Sequence, residues 1–155
     1  MLLEKKWQAG FLWKYKSKMT KNDTLKIALV GNPNTGKTSL FNSLTGLRQQ
    51  VGNYPGITVE KKQGSFHLEN HQKVTVIDLP GTYSLNPSSI DESVTTEFLL
   101  NNEDKNFPQV AIVVAEAENL KRNLLLFTQV KDLGIPTILV INMADRMQLK
   151  GISIN

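Results

Sequence analysis

Residues 31–38 read Gly31-Asn32-Pro33-Asn34-Thr35-Gly36-Lys37-Thr38 and lie between an apolar run and a helical pattern. The run Leu25-Lys26-Ile27-Ala28-Leu29-Val30 predicts a buried strand. Ser39-Leu40-Phe41-Asn42-Ser43-Leu44 predicts a helix through about Thr45, stopped by Gly46. A strand, a turn bounded by two glycines, then Lys-Thr and a helix is the context in which main-chain N–H groups cradle a polyphosphate. Gly31 and Gly36 permit the tight turn, and the helix N-terminus adds about half a positive charge. Lys37 can then reach the β- and γ-phosphates, and the Thr38 hydroxyl is placed to hold Mg²⁺. Such a loop needs a strand whose carboxyl end opens onto a crevice, which restricts the chain to an α/β sheet.

The remaining pattern agrees with that restriction. Arg48–Gly56 reads as a polar, turn-rich connection. Thr58–Leu68 and Gln72–Asp78 read as two strands paired antiparallel across Glu69-Asn70, the first of them at an edge. Leu79–Ile90 reads as loop, and Asp91–Asn101 as a helix with Val94, Phe98 and Leu99 on one face. Gln109–Ala115 is a continuous apolar run of the kind buried on both sides of a parallel sheet. Asn119–Leu133 predicts a helix ended by Gly134, and Pro136–Ile141 another buried strand. Alternating strands and helices predict a three-layer α/β/α P-loop NTPase fold. Its sheet is mostly parallel and doubly wound, with one antiparallel edge strand. Residues 25–155 form one domain.

Charge distribution narrows the partners. The chain carries a formal +4. Residues 1–23 hold six lysines against Glu4 and Asp23, so the rest is balanced and makes no electrostatic case for nucleic acid. Residues 1–24 mix Trp7, Phe11, Trp13 and Tyr15 with lysines, and Lys14 and Lys16 interrupt any signal-peptide core. They read as a disordered leader, or a consequence of start-site choice given Met19, in preference to a segment resting on anionic lipid. No apolar run approaches a membrane span. The absence of cysteine excludes disulfides and thiolate metal sites.

Three further motifs fall at strand ends. Asp78-Leu79-Pro80-Gly81 offers a carboxylate to water on Mg²⁺ and the Gly81 N–H to the γ-phosphate. Asn142-Met143-Ala144-Asp145 offers a carboxylate that accepts from both N1–H and the exocyclic amine of guanine, which adenine cannot satisfy. Gly56-Ile57-Thr58 offers a hydroxyl that completes the Mg²⁺ shell while the γ-phosphate is present. The expected ligand is GTP or GDP, touched by Gly31 to Ser39 of the first loop and by these three segments. Lys37, Thr58 and Gly81 are expected to act in hydrolysis, with Thr38, Thr58 and Asp78 serving Mg²⁺. His67 and His71 lack ligand partners at metal spacing and read as surface residues.

Together these motifs resemble translation-factor-class GTPases, and more narrowly the N-terminal GTPase domain of the ferrous iron transport protein B family. The narrower resemblance is carried by Gly31 to Asn42, Gly52 to Glu60, Asp78 to Leu85, Asn119-Leu-Lys-Arg-Asn-Leu124 and Asn142 to Asp145. It implies a cytosolic regulator on the inner face of the membrane, attached to a membrane-embedded Fe²⁺-importing portion, with homo-oligomer contacts through the switch regions. It also implies that Asn34 helps coordinate an activating K⁺ beside the phosphates. Thr82 stands where many GTPases place a water-orienting Gln, so slow hydrolysis is expected. Glu116 stands where the family usually has Asp. The family's fifth motif, a Ser-Ala turn behind the guanine, should lie past Asn155 with the last strand and closing helices, so the chain is expected to be a piece of a longer protein. In that case the Pro136–Ile141 strand is an exposed apolar edge. Two rival readings are a nucleotide-binding module with negligible catalysis and a soluble GTPase acting on ribosomes or tRNA; the balanced body charge and Met143 weigh against the latter.

Overall fold

The computed structural model describes residues 24–47, 49–54 and 57–151. Residues 1–23, which hold the expected leader, together with Arg48, Pro55, Gly56 and residues 152–155, lie outside the described residues. Strand β1 (Leu25–Gly31) leads into helix α1 (Lys37–Thr45), followed by β2 (Gln49–Asn53), β3 (Glu60–His67) and β4 (Lys73–Asp78). Helix α2 (Ile90–Leu100), β5 (Val110–Glu116), a single 3₁₀ turn (Ala117–Asn119), α3 (Leu120–Asp132), β6 (Thr137–Asn142) and α4 (Ala144–Leu149) complete the order.

The six strands form one sheet in the order β2-β3-β4-β1-β5-β6. β4, β1, β5 and β6 run parallel, while β2 and β3 are antiparallel to their neighbours. Alternation along β1 sends Ala28 and Val30 to one face and Ile27 and Leu29 to the other. Ala28 and Val30 pack with Val94, Phe98 and Leu99 of α2 and with Leu126 and Val130 of α3. Ile27 and Leu29 pack with Phe41 of α1 and with Val74 and Val76 of β4. Helices therefore cover both faces in three layers. Phe41 is fully buried, which contributes about 1.5–3 kcal/mol from that ring alone.

The structure adds β2, where the sequence reads as a turn-rich connection. All five of its residues are exposed, so it carries no hydrophobic alternation to read. It is held by backbone pairing to β3, from Gln49 opposite Gly64 to Asn53 opposite Glu60. The β3–β4 turn falls where expected: His71 adopts a left-handed backbone (φ 62°), and its N–H donates to the Leu68 carbonyl at 2.9 Å. Helix α2 begins with a reciprocal cap. The Ser89 hydroxyl accepts from the Glu92 N–H, and the Glu92 carboxylate accepts from the N–H and hydroxyl of Ser88. Those Ser88 bonds hold the Glu92 carboxyl below the ordinary carboxylate range. β6 lies at the other edge of the sheet, with Ile138 and Ile141 exposed.

Candidate functional site

The phosphate loop is shaped by two close approaches. A Cβ at Gly31 would come within 2.6 Å of the Val114 carbonyl on neighbouring β5, so only glycine fits there. Gly36 adopts φ 82°, and a Cβ on it would overlap the Asn142 side-chain nitrogen. Between them Asn34 also takes the left-handed region (φ 65°), and the buried Thr35 hydroxyl donates to the Asn32 carbonyl at 3.0 Å. Helix α1 starts from Gly36 with no side-chain cap and no acidic residue in its first turn. Its first N–H groups and the positive end of its dipole are thus left for a ligand.

Asp78, at the end of β4, is buried beside this loop. The Lys37 ammonium pairs with its Oδ1, and the Thr38 hydroxyl donates to its Oδ2 at 3.3 Å. These groups line a cleft of about 730 Å³, large enough for a nucleotide's phosphates and sugar. Thr38 and Asp78, with Thr58 on the same cleft, supply the hard oxygen donors that Mg²⁺ prefers. Asn34 is exposed at the cleft wall, with a neutral amide of the type that suits a monovalent cation. Tyr54 packs into the core with Ile77 and Leu79. Burial first, and then the negative charge of Asp78, push its phenol upward, so it stays protonated.

The loop after β4 is pinned at several points. The Thr82 N–H donates to the Gly31 carbonyl at 3.1 Å, and Gly81 lies against Pro33. The Thr82 side chain is fully buried and its hydroxyl donates to the Ser84 carbonyl at 2.6 Å, within its own loop. Farther along, Arg122 stacks over the Tyr83 ring at 4.1 Å, and Gln129 accepts from the Leu85 N–H at 2.9 Å. That gives the Asn119–Leu124 motif a structural role, holding the loop onto α3.

At the end of β6 the Asn142 amide donates to the Thr35 carbonyl at 2.9 Å, tying two motifs separated by 107 residues. Met143 follows with φ 59° and lines the cleft. Asp145 is exposed in the first turn of α4, two residues beyond the cleft wall.

Of the residues expected from sequence, the cleft brings together Asn32, Pro33, Asn34 and Gly36 to Ser39, with Thr58, Asp78 to Gly81 and Met143. Gly31, Thr35 and Asn142 stand behind it as supports, while Ile57 and Asp145 lie outside its lining. Gly56 lies outside the described residues. Val59, Glu60, Lys62 and Asp91 also line the cleft and were not anticipated. Glu60 and Lys62 alternate on β3, point the same way and form an ion pair at 3.7 Å, a signal present in the Glu-x-Lys spacing.

A phosphate loop between a central parallel strand and a helix, with Lys, Thr and Asp converging beside it, defines a P-loop NTPase-type nucleotide-binding domain. Comparisons with known proteins narrow that class. The profile of ferrous iron transport protein B matches residues 25–155. The Fe(2+) transporter FeoB of Escherichia coli (strain K12) is 48% identical over 134 residues, 84% of this chain and 17% of that protein. The G domain of the T. maritima FeoB iron transporter superposes with a TM-score of 0.75 at 42% identity, covering 84% of this chain and 78% of that one. The T. maritima FeoB cytosolic domain in a GDP form gives a TM-score of 0.77 at 42% identity, over 86% and 50% of the two chains. The chain belongs to the ferrous iron transport protein B family. It spans 17% of the length of the curated relatives it matches. Among the described residues, no helix is long and apolar enough to cross a membrane.

Proposed function

We propose that this chain is the GTP-binding and slowly GTP-hydrolysing cytosolic domain of a ferrous iron transporter, regulating Fe²⁺ uptake from the cytoplasmic side of the inner membrane. The observation that carries the reading is the convergence of Lys37, Thr38 and Asp78 on a loop that Asn142 ties to the base-side motif. Lys37 and the N–H groups of residues 34–38 neutralise and orient the phosphates. Asn142 braces the loop, Met143 offers an apolar surface to the base, and Asp145 accepts from guanine. Gly81 and Thr58 are the groups that respond to the γ-phosphate, which makes their segments the switch through which nucleotide state reaches the membrane-embedded portion or a second copy of the domain. Thr38, Thr58 and Asp78 would hold Mg²⁺ and Asn34 would help hold K⁺; the two cations would neutralise charge developing on the phosphates.

Hydrolysis is slow because Thr82, the residue that follows Gly81, carries a buried hydroxyl in place of a side chain that orients water. The Thr82 hydroxyl donates to the Ser84 carbonyl within its own loop, which leaves the backbone of that loop to orient the attacking water. The same observation favours the second reading, a binding module with negligible turnover. Single-turnover GTP hydrolysis in KCl against NaCl separates the two. The proposal expects complete conversion within about an hour in KCl, and a rate at least about tenfold lower in NaCl, as removal of one transition-state charge clamp should give. Equal rates in the two salts would remove the K⁺ role of Asn34, and no conversion in either would favour the binding module.

A further inference from the structure

We infer that two ion pairs, Glu116 with Arg146 and Glu118 with Lys150, form a clamp that positions Asp145 and thereby sets how strictly the cleft selects guanine, an inference that rests on the base-reading role proposed for Asp145. Helix α4 has little packing of its own to fix it: Ala144, Asp145, Arg146 and Leu149 are exposed, as is Lys150 just past its end, and Met147 is half-buried. A six-residue helix so poorly buried is free to shift or roll unless something else holds it.

The end of β5 supplies the holding points. Glu116 is the register partner of Asn142, so its side chain emerges beside the start of the base-side segment. Its carboxylate lies 3.6 Å from the Arg146 guanidinium and accepts from the Asn119 amide at 2.9 Å, which fixes the carboxylate as well as pairing it. Two residues on, in the 3₁₀ turn, Glu118 reaches the Lys150 ammonium at 2.5 Å. Both carboxylates are mostly covered, with side chains 19% and 22% exposed, whereas the cations stand in solvent. Arg146 lies in α4 and Lys150 immediately after its last residue, so the two tethers hold the helix near its start and just past its end and restrict its rotation. Asp145 is adjacent to the first tether, and a roll of one residue would swing its carboxylate by about 100°. Exposed pairs like these add little to overall stability. Their contribution is to the azimuth of one carboxylate.

The test compares GDP with IDP, whose base lacks the exocyclic amine, by titration of the whole chain and its variants. Glu118→Lys should weaken GDP binding by about two- to fivefold and lower the GDP-to-IDP affinity ratio, the scale expected of one partly covered ion pair. Glu118→Lys combined with Lys150→Glu should restore both. A ratio unchanged in the single variant, or not recovered by the charge exchange, would overturn the clamp while leaving the base-reading role intact. Failure of the unsubstituted chain to bind GDP would overturn both.

Discussion

Lys37→Ala is expected to weaken binding of both GDP and GTP by about 10²-fold or more, the scale for losing a charge-assisted contact to a polyphosphate in a partly enclosed cleft. The structure predicts a second effect of the same substitution. Lys37 is the cation beside the buried Asp78 carboxylate, so its removal leaves that charge facing only the Thr38 hydroxyl. Uncompensated buried charges are costly, and the thermal midpoint should fall together with the affinity. Titration with a fluorescent guanine nucleotide, alongside a melting curve, reads both. An affinity within threefold of the unsubstituted chain would mean that the loop does not grip phosphate as described.

Asp145→Asn is expected to change which base is bound. The carboxylate offers acceptors to N1–H and to the exocyclic amine of guanine. An amide offers one acceptor and turns a donor toward the amine, so GDP affinity should fall by about 10²-fold or more. Xanthine carries a carbonyl at the position of that amine and can accept from the new amide, so XDP should bind the variant better than GDP. Competition between the two diphosphates measures the exchange of preference. Retention of guanine preference would assign base reading to another residue, and the distance of Asp145 from the cleft lining would then be its actual position in the complex.

What the sequence revealed follows from where burial imposes a pattern. β1 and β5 were legible because their apolar runs are buried, and the phosphate loop because its glycines are required by Val114 and Asn142 contacts that leave no space for a side chain; β6 was expected to be buried as well, but it lies at the sheet edge with no residue fully buried. β2 was not legible. Gln49 to Asn53 are exposed on every residue, and backbone pairing leaves no trace in side-chain chemistry. The wall formed by Glu60 and Lys62 was hidden for a related reason: β3 reads from sequence as an edge strand, where two opposite charges are a solvated face, whereas β2 covers that edge and places β3 inside the sheet. Glu116 gives no sign in the sequence of its partner Arg146, which lies 30 residues away and is brought beside it by the β5–β6 register. The Asn119–Leu124 motif was likewise visible as a string, while its contact with Tyr83 depends on how the loop after β4 folds back onto α3.

Each of these effects requires the cleft beside Lys37 and Asp78 to accept a guanine nucleotide through its phosphates and base together. Calorimetric titration of the folded chain with GTP and with ATP, both in excess Mg²⁺, tests that most directly. The account predicts saturable heat with GTP and an affinity for ATP at least about 10²-fold weaker, as expected where a base-reading carboxylate goes unpaired. Equal affinities for the two nucleotides, or no heat from GTP, would contradict it.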